Sequence, residues 1–257
     1  MIHRREFKDG TVIRTLIEKE PSFTFRRADE LLTKEPETIQ WLNKMNQDDV
    51  LWDVGACVGT YSIYAAMRHN VRVMAFEPSW SNVMALESNI LLNKMNDLIT
   101  VYPIAIGKKH HYDYLLINKP GSIGSSANDV MSSKYSKNHK RIKSGCVVDS
   151  INNLVNKGLP FPTHIKIDVD GTEPDIIMGA LKVLPYVKSV LVELQASGKG
   201  RWDPKTMKAH MKIVDKIKSL GLKLDEKLYK KSAKRHDASK KWLGQRNYVF
   251  YGDDYEV

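Results

Sequence analysis

Five acidic residues, Asp53, Glu77, Asp168, Asp170 and Glu193, stand at or just beyond the ends of apolar runs that read as strands. In an open α/β sheet, ligands bind beyond the carboxyl ends of the strands. Carboxylates gathered there can hold ammonium groups and hydroxyls, or take a proton from an alcohol. Acids after strands also cap the helices that follow, which accounts cheaply for Asp170 and Glu173. Five at one edge favour a site.

The first acid opens the most telling stretch, Val50-Leu-Trp-Asp-Val-Gly-Ala-Cys-Val-Gly-Thr60. An apolar strand runs into Asp53, turns on Gly55 and Gly59, and leads into the helix-like run Tyr61-Ser-Ile-Tyr-Ala-Ala-Met67. Such a unit presents backbone N–H groups and a helix N-terminus to a ligand that approaches the main chain closely. One βαβ step later, Val71-Arg-Val-Met-Ala-Phe-Glu77 ends in an acid able to accept both hydroxyls of a ribose. A dinucleotide site would carry G-x-G-x-x-G, whereas Cys57 stands here where the central glycine is expected. Asp53, just before the turn, would repel a pyrophosphate but suits an ammonium. S-Adenosylmethionine has that ammonium, a ribose and no phosphate, so the electrostatics favour a methyl donor over NAD.

The elements that must position these groups fit one α/β domain spanning residues 1–257. Residues 1–48 read as a helical N-terminal extension, with an amphipathic stretch at 11–18 and a proline-started helix at 36–45. The core, 49–251, alternates strands and helices. After the first two strands, Ser79 caps a helix to about Asn93, residues 99–106 read as a third strand, and 163–168 as a fourth. A helix starting near Glu173, a fifth strand at 187–193, a helix over 204–220, and strands near Leu222 and at 246–251 complete it. Residues 112–117 and 146–148 form an extra hairpin-like pair. The expected architecture is a doubly wound, mostly parallel seven-stranded sheet with an antiparallel edge strand.

Composition narrows the partners. The hydrophobic fraction of 42% argues against disorder, and no apolar run approaches a membrane span. The start lacks the apolar core of a signal peptide, and Cys57 and Cys146 form no disulfide framework, so a cytoplasmic protein is expected. No His-x-x-x-His or Cys/His ligand set is present, so no metal is expected. The net charge of +10 comes mainly from two runs, 134–143 and 230–241. They read as solvated loops, with an anionic acceptor as the first alternative. Neither has the interleaved aromatics of a single-strand platform, so nucleic acid is not favoured.

Four ordered motifs resemble the FkbM-type methyltransferases: Asp53-Val-Gly-Ala-Cys-Val-Gly59, Ala75-Phe-Glu-Pro78, Val148-Asp-Ser-Ile151, and Ile165-Lys-Ile-Asp-Val-Asp-Gly-Thr-Glu173 with Ile177-Met-Gly-Ala180. Leu191-Val-Glu-Leu194 and Asn247-Tyr-Val-Phe250 also fit. Asp170 and Thr172 depart from the pattern, in which glutamate and alanine are commoner. The resemblance implies a class I, Rossmann-like methyltransferase fold, S-adenosylmethionine as cofactor, and O-methylation of sugars or secondary metabolites. On that footing Asp53, Gly55, Ala56, Gly59 and Thr60 surround the methionine end of the donor, Glu77 binds the ribose, and Ala105 with Ile106 flanks the adenine. Asp168 and Asp170 are the candidate catalytic acids, and Glu173 and Glu193 candidate ligands for acceptor hydroxyls. The lysine-rich runs point to a phosphorylated or nucleotide-linked glycan as acceptor. Two rivals stand beside this reading: an RNA methyltransferase using the basic runs, and a haloacid dehalogenase-like phosphatase using Asp168-Val-Asp-Gly-Thr172.

Overall fold

A computed structural model describes the chain except residues 9, 19–21, 118–122, 125–128, 131–141, 170, 196–203, 239–244 and 254–257. The chain opens on β1 (Ile2–Glu6) and β2 (Val12–Leu16), followed by α1 (Phe23–Asp29) and α2 (Pro36–Leu42). Then come β3 (Val50–Val54), α3 (Thr60–His69), β4 (Arg72–Phe76), α4 (Trp80–Leu92), β5 (Ile99–Tyr102) and β6 (Ala105–Ile106). Next are β7 (His111–Ile117), β8 (Asp129–Val130), β9 (Ile142–Asp149), α5 (Ile151–Asn156), β10 (His164–Ile167) and α6 (Glu173–Met178). The chain continues through β11 (Ser189–Gln195), α7 (Pro204–Lys218), β12 (Lys223–Leu224), α8 (Glu226–Ala238) and β13 (Gln245–Tyr251).

Seven strands form the main sheet in the order β12-β13-β11-β10-β3-β4-β5. From β5 to β11 the pairings are parallel, and β13 is antiparallel to both neighbours. The antiparallel strand therefore lies one place in from the edge, and β12 is the edge strand. The chain runs outward from β3 to β5 and then returns to lay β10 on the other side of β3. Such a reversal opens a crevice at the carboxyl ends of the two central strands.

The pleat sends alternate residues to two apolar layers. Trp52, Val54, Ile165, Ile167, Val190 and Val192 join one, and Leu51, Val73, Ala75, Leu191 and Val249 the other. Asp53 and Lys166 share the second face with Leu51 and lie in register across β3 and β10. The same layer takes in Ile13, Leu31, Trp41 and Leu42 from the N-terminal segment. That segment is therefore built into the core beside the crevice.

Three expectations need correction. Residues 1–48 are not simply helical: β1 and β2 form an antiparallel hairpin ahead of two short helices. The stretch at 11–18 alternates Ile13, Thr15 and Ile17 inward, and β-branched residues at period two suit a half-buried strand better than a helix. Residues 99–106 are not one strand. Pro103 cannot donate to a ladder, β5 ends before it, and β6 pairs with β9 in a separate sheet of order β6-β9-β7-β8. Part of the second basic run is helix α8. Asp225 starts it by accepting the Leu228 N–H on Oδ1 at 2.9 Å, and Leu228 and Ser232 are buried one turn apart. Of the first basic run, 134–141 lies outside the described residues. The expected hairpin-like pair is present as β7 and β9.

Candidate active site

The loop after β3 and the loop after β10 touch backbone to backbone. Gly55 has φ +82°, and a Cβ placed there would lie 2.1 Å from the Asp168 carbonyl oxygen. Only glycine tolerates both the left-handed conformation and that approach. The Gly55 and Ala56 N–H groups both donate to the Phe76 carbonyl, at 3.0 and 3.1 Å, so the bend is fastened to the end of β4. Cys57 takes φ +54° although it has a side chain, and its N–H donates to Glu77 Oε2 at 2.9 Å. Glu77 Oε1 accepts the Ser79 N–H, also at 2.9 Å. Burial raises the Glu77 pKa, opposed by these backbone donors and Asn82. A carboxylate offers about four acceptor positions. Cys57, Ser79 and Asn82 use three, so capacity remains for one hydroxyl of a ligand.

Beside the bend lies a charged cluster. Lys166 Nζ is 3.1 Å from Asp168 Oδ2 and 3.6 Å from Asp53 Oδ1, over the ring of Tyr61. Burial disfavours its charge, yet Asp168, Asp53 and Glu35 outweigh that and hold the ammonium protonated well above its ordinary range. Asp53 Oδ2 accepts from Ser62 Oγ at 2.6 Å, while its buried Oδ1 accepts no hydrogen bond. Glu35 is buried with Lys34 Nζ at 2.9 Å and accepts from Thr38 Oγ1 at 3.2 Å. Its burial is overcome by Lys34 and Lys166, which hold its pKa well below the carboxylate range.

A cleft open to solvent lies over these groups. Gly55, Ala56, Cys57, Thr60, Tyr61, Lys166 and Asp168 line it, together with Arg27, Leu31 and Lys34 from the N-terminal segment. Sequence reasoning placed Gly55, Ala56, Thr60 and Asp168 together, as the cleft does. It does not single out Arg27, Lys34 or Tyr61. Nothing local marks Arg27 or Lys34, which reach the site across the fold. For Lys166 the signal was available: a lysine inside the strand 163–168, two residues before Asp168, must be buried and therefore paired.

The other candidates are distributed as follows. Asp53 lies one strand pairing from Lys166, and Gly59, at φ +81°, precedes α3 with its Cα against Leu86. Glu193 follows Val192, which pairs with Ile167, so it stands level with Asp168 on the next strand. Glu173 turns back on its own loop: Oε1 accepts the Gly171 N–H at 3.0 Å, and Oε2 is 3.8 Å from His210 Nε2. Ala105 and Ile106 are buried in β6, on the smaller sheet. Asp170 lies outside the described residues.

A donor with an α-ammonium, a ribose and no phosphate fits this set. Asp53 beside the bend, the remaining Glu77 acceptor and the bend that excludes a Cβ are all present. The family model of the methyltransferase FkbM domain matches residues 53–228. The chain belongs to the FkbM methyltransferase family. Its fold is the class I methyltransferase fold. The dehalogenase-like alternative is thereby set aside.

Among curated proteins, the hexuronic acid methyltransferase AglP of Haloferax volcanii is 30% identical over 158 residues, 60% of this chain and 59% of that protein. The chain thus spans about three fifths of the length of that relative. Among solved structures, methyltransferase FkbM from Methylobacillus flagellatus KT is similar with a TM-score of 0.49 and 16% identity, over 80% of this chain and 44% of that one. A candidate rRNA methylase from Clostridium thermocellum reaches a TM-score of 0.50 at 8% identity, over 86% of this chain and 97% of that one. At that identity the likeness concerns the fold alone. Among the described residues, no helix is long and apolar enough to cross a membrane.

Proposed function

We propose that this methyltransferase acts on a hydroxyl group of a sugar, glycan or related secondary metabolite. The reading is carried by the contact between the glycine bend and Asp168, which brings a carboxylate to the edge of the donor cleft. When bound, S-adenosylmethionine supplies an electrophilic methyl group on a sulfonium. Gly55, Ala56, Gly59 and Thr60 hold the methionine end, Asp53 attracts its ammonium, and Glu77 accepts from the ribose; Ala105 and Ile106 are proposed at the adenine.

An alcohol is a weak nucleophile until its proton leaves. Asp168 is the group we assign to take it. Its side chain is 26% exposed and its Oδ2 is engaged by Lys166, leaving Oδ1 for an incoming hydroxyl. Lys166 orients that carboxylate. Asp170 is retained as the second acid, and Glu193, level with Asp168, as a ligand for a neighbouring hydroxyl. Glu173 serves the acceptor through the loop it braces. The hexuronic acid named for the Haloferax volcanii relative supports a sugar acceptor, and a uronic acid is the first to try.

The test is transfer of a labelled methyl group to a panel of uronic acids, neutral sugars, nucleotide sugars and a short RNA, followed by mass spectrometry. An O-methylated sugar is expected. Asp168→Asn should lower turnover about 10²- to 10⁴-fold, the range of a general base. Label appearing only in the RNA would overturn the acceptor assignment, and full turnover in Asp168→Asn would overturn the base.

A further inference from the structure

We infer that the N-terminal segment closes the donor site, with Arg27 and Lys34 receiving the α-carboxylate of the donor's methionine portion. Both residues lie outside the stretch 53–228 that matches the family model. Both nevertheless line the same cleft as Gly55, Ala56, Cys57 and Thr60. The inference rests on the reading that the donor lies over the glycine bend.

Asp168, which lines the cleft, and Asp53, buried behind it, share the single ammonium of Lys166, so the two acids can take a second cation. Arg27 and Lys34 line the same cleft. An α-amino acid bears an ammonium and a carboxylate on one carbon, so its receptor needs both acids and cations. A phosphate or a neutral ligand end would not need both signs of charge.

Arg27 is also held in place for the task. Its Nε donates to the Gly124 carbonyl at 3.0 Å, and the Gly124 N–H donates in turn to Asn82 Oδ1 at 2.9 Å. Among the described residues Arg27 has no ion-pair partner, and its terminal nitrogens are left to the cleft. A guanidinium fixed by one edge offers the planar fork that suits a carboxylate. Lys34 is already paired with Glu35 at 2.9 Å and is 37% exposed, so it is the weaker contributor.

The experiment is calorimetry with two ligands that differ in the methionine portion. S-Adenosylhomocysteine carries the amino acid, and 5′-methylthioadenosine does not. Arg27→Ala should weaken S-adenosylhomocysteine on the order of 10- to 100-fold, the scale of a lost charge-assisted hydrogen bond, and leave methylthioadenosine unchanged. Lys34→Gln should shift the same ratio less, and Arg27→Lys should restore part of it. Should Arg27→Ala fail to fold, Arg27→Lys and Lys34→Gln make the same comparison. Equal weakening of both ligands, or unchanged S-adenosylhomocysteine binding with only acceptor KM raised, overturns the assignment. Glu77→Gln separates this from the underlying reading. If Glu77→Gln alters neither ligand, the donor's placement fails. If it weakens both while the Arg27→Ala ratio stays at the wild-type value, only the carboxylate assignment fails.

Discussion

Lys166 and Asp53 face each other in register across β10 and β3, Nζ to Oδ1 at 3.6 Å, with 2% and 1% of their side chains exposed. A cation so placed is costly unless its partners remain. Lys166→Met keeps the volume but leaves Asp53 buried beside Asp168 without their shared ammonium. We expect a loss of about 3 to 5 kcal/mol in urea denaturation, the cost of breaking a buried pair from one side. Unchanged stability would mean that the two acids do not depend on this lysine.

Gly55→Ala and Gly10→Ala form a matched pair. Both glycines have φ near +80°, at +82° and +83°, but a Cβ meets the Asp168 carbonyl at Gly55 and nothing within 4 Å at Gly10. Gly10→Ala should cost only the conformational term, about 1 kcal/mol. Gly55→Ala should cost more in thermal denaturation and abolish S-adenosylhomocysteine binding, because the two loops must separate. Equal effects at both positions would show that the close approach is not needed.

Stability should fall as pH drops from 7 towards 4. Burial pushes His210 down to about 4, below the 6.5 of an unfolded histidine. Its neutral form is preferred in the folded state, so its contribution is complete above 6.5 and lost as pH falls to 4. His164 acts in the same direction, its pKa lowered by burial against the pull of Asp49. Asp49 follows at lower pH. Hydrogen bonds from His164 and Lys188 overcome its burial and depress its pKa, so its contribution disappears only as pH falls through the carboxylate range. His210→Gln should flatten the upper part of the curve by on the order of 2 kcal/mol in urea midpoints taken from pH 7 to 4. A variant curve parallel to the wild type would exclude His210 as the source.

Arg235 donates to Glu37, which is fully buried and also accepts from Asn247 Nδ2 at 3.1 Å. Arg235→Ala leaves that carboxylate without its counter-charge. A loss of about 3 kcal/mol is expected, with Glu37→Gln in the same background recovering part of it. Additive effects of the two substitutions in a double-mutant cycle would contradict the pairing.

The donor loop was legible because its signals are local. An apolar run, Asp53 and two spaced glycines lie within eleven consecutive residues, and an apolar helix start follows at once. The acid ending the second strand closes an apolar run one unit later. The N-terminal hairpin was misread because Ile13 and Ile17 are four apart, a spacing that fits one face of a helix as well as alternate positions of a strand. Arg27 and Lys34 were invisible for a different reason. Their role exists only once Ile13, Leu31 and Trp41 have packed on the α3 side of the sheet. The third strand stops at Tyr102 because Pro103, visible in the sequence, cannot continue the ladder.

The N-terminal segment is fastened to late parts of the chain. Trp41 Nε1 donates to Ser189 Oγ at 2.7 Å on β11, and Glu37 is bound by Arg235 of α8 and Asn247 of β13. A chain emerging from the ribosome can therefore lay down its glycine bend early, yet cannot seat the N-terminal lining of the cleft until its final strand is made. Tight capture of the donor would therefore report that synthesis had passed β13.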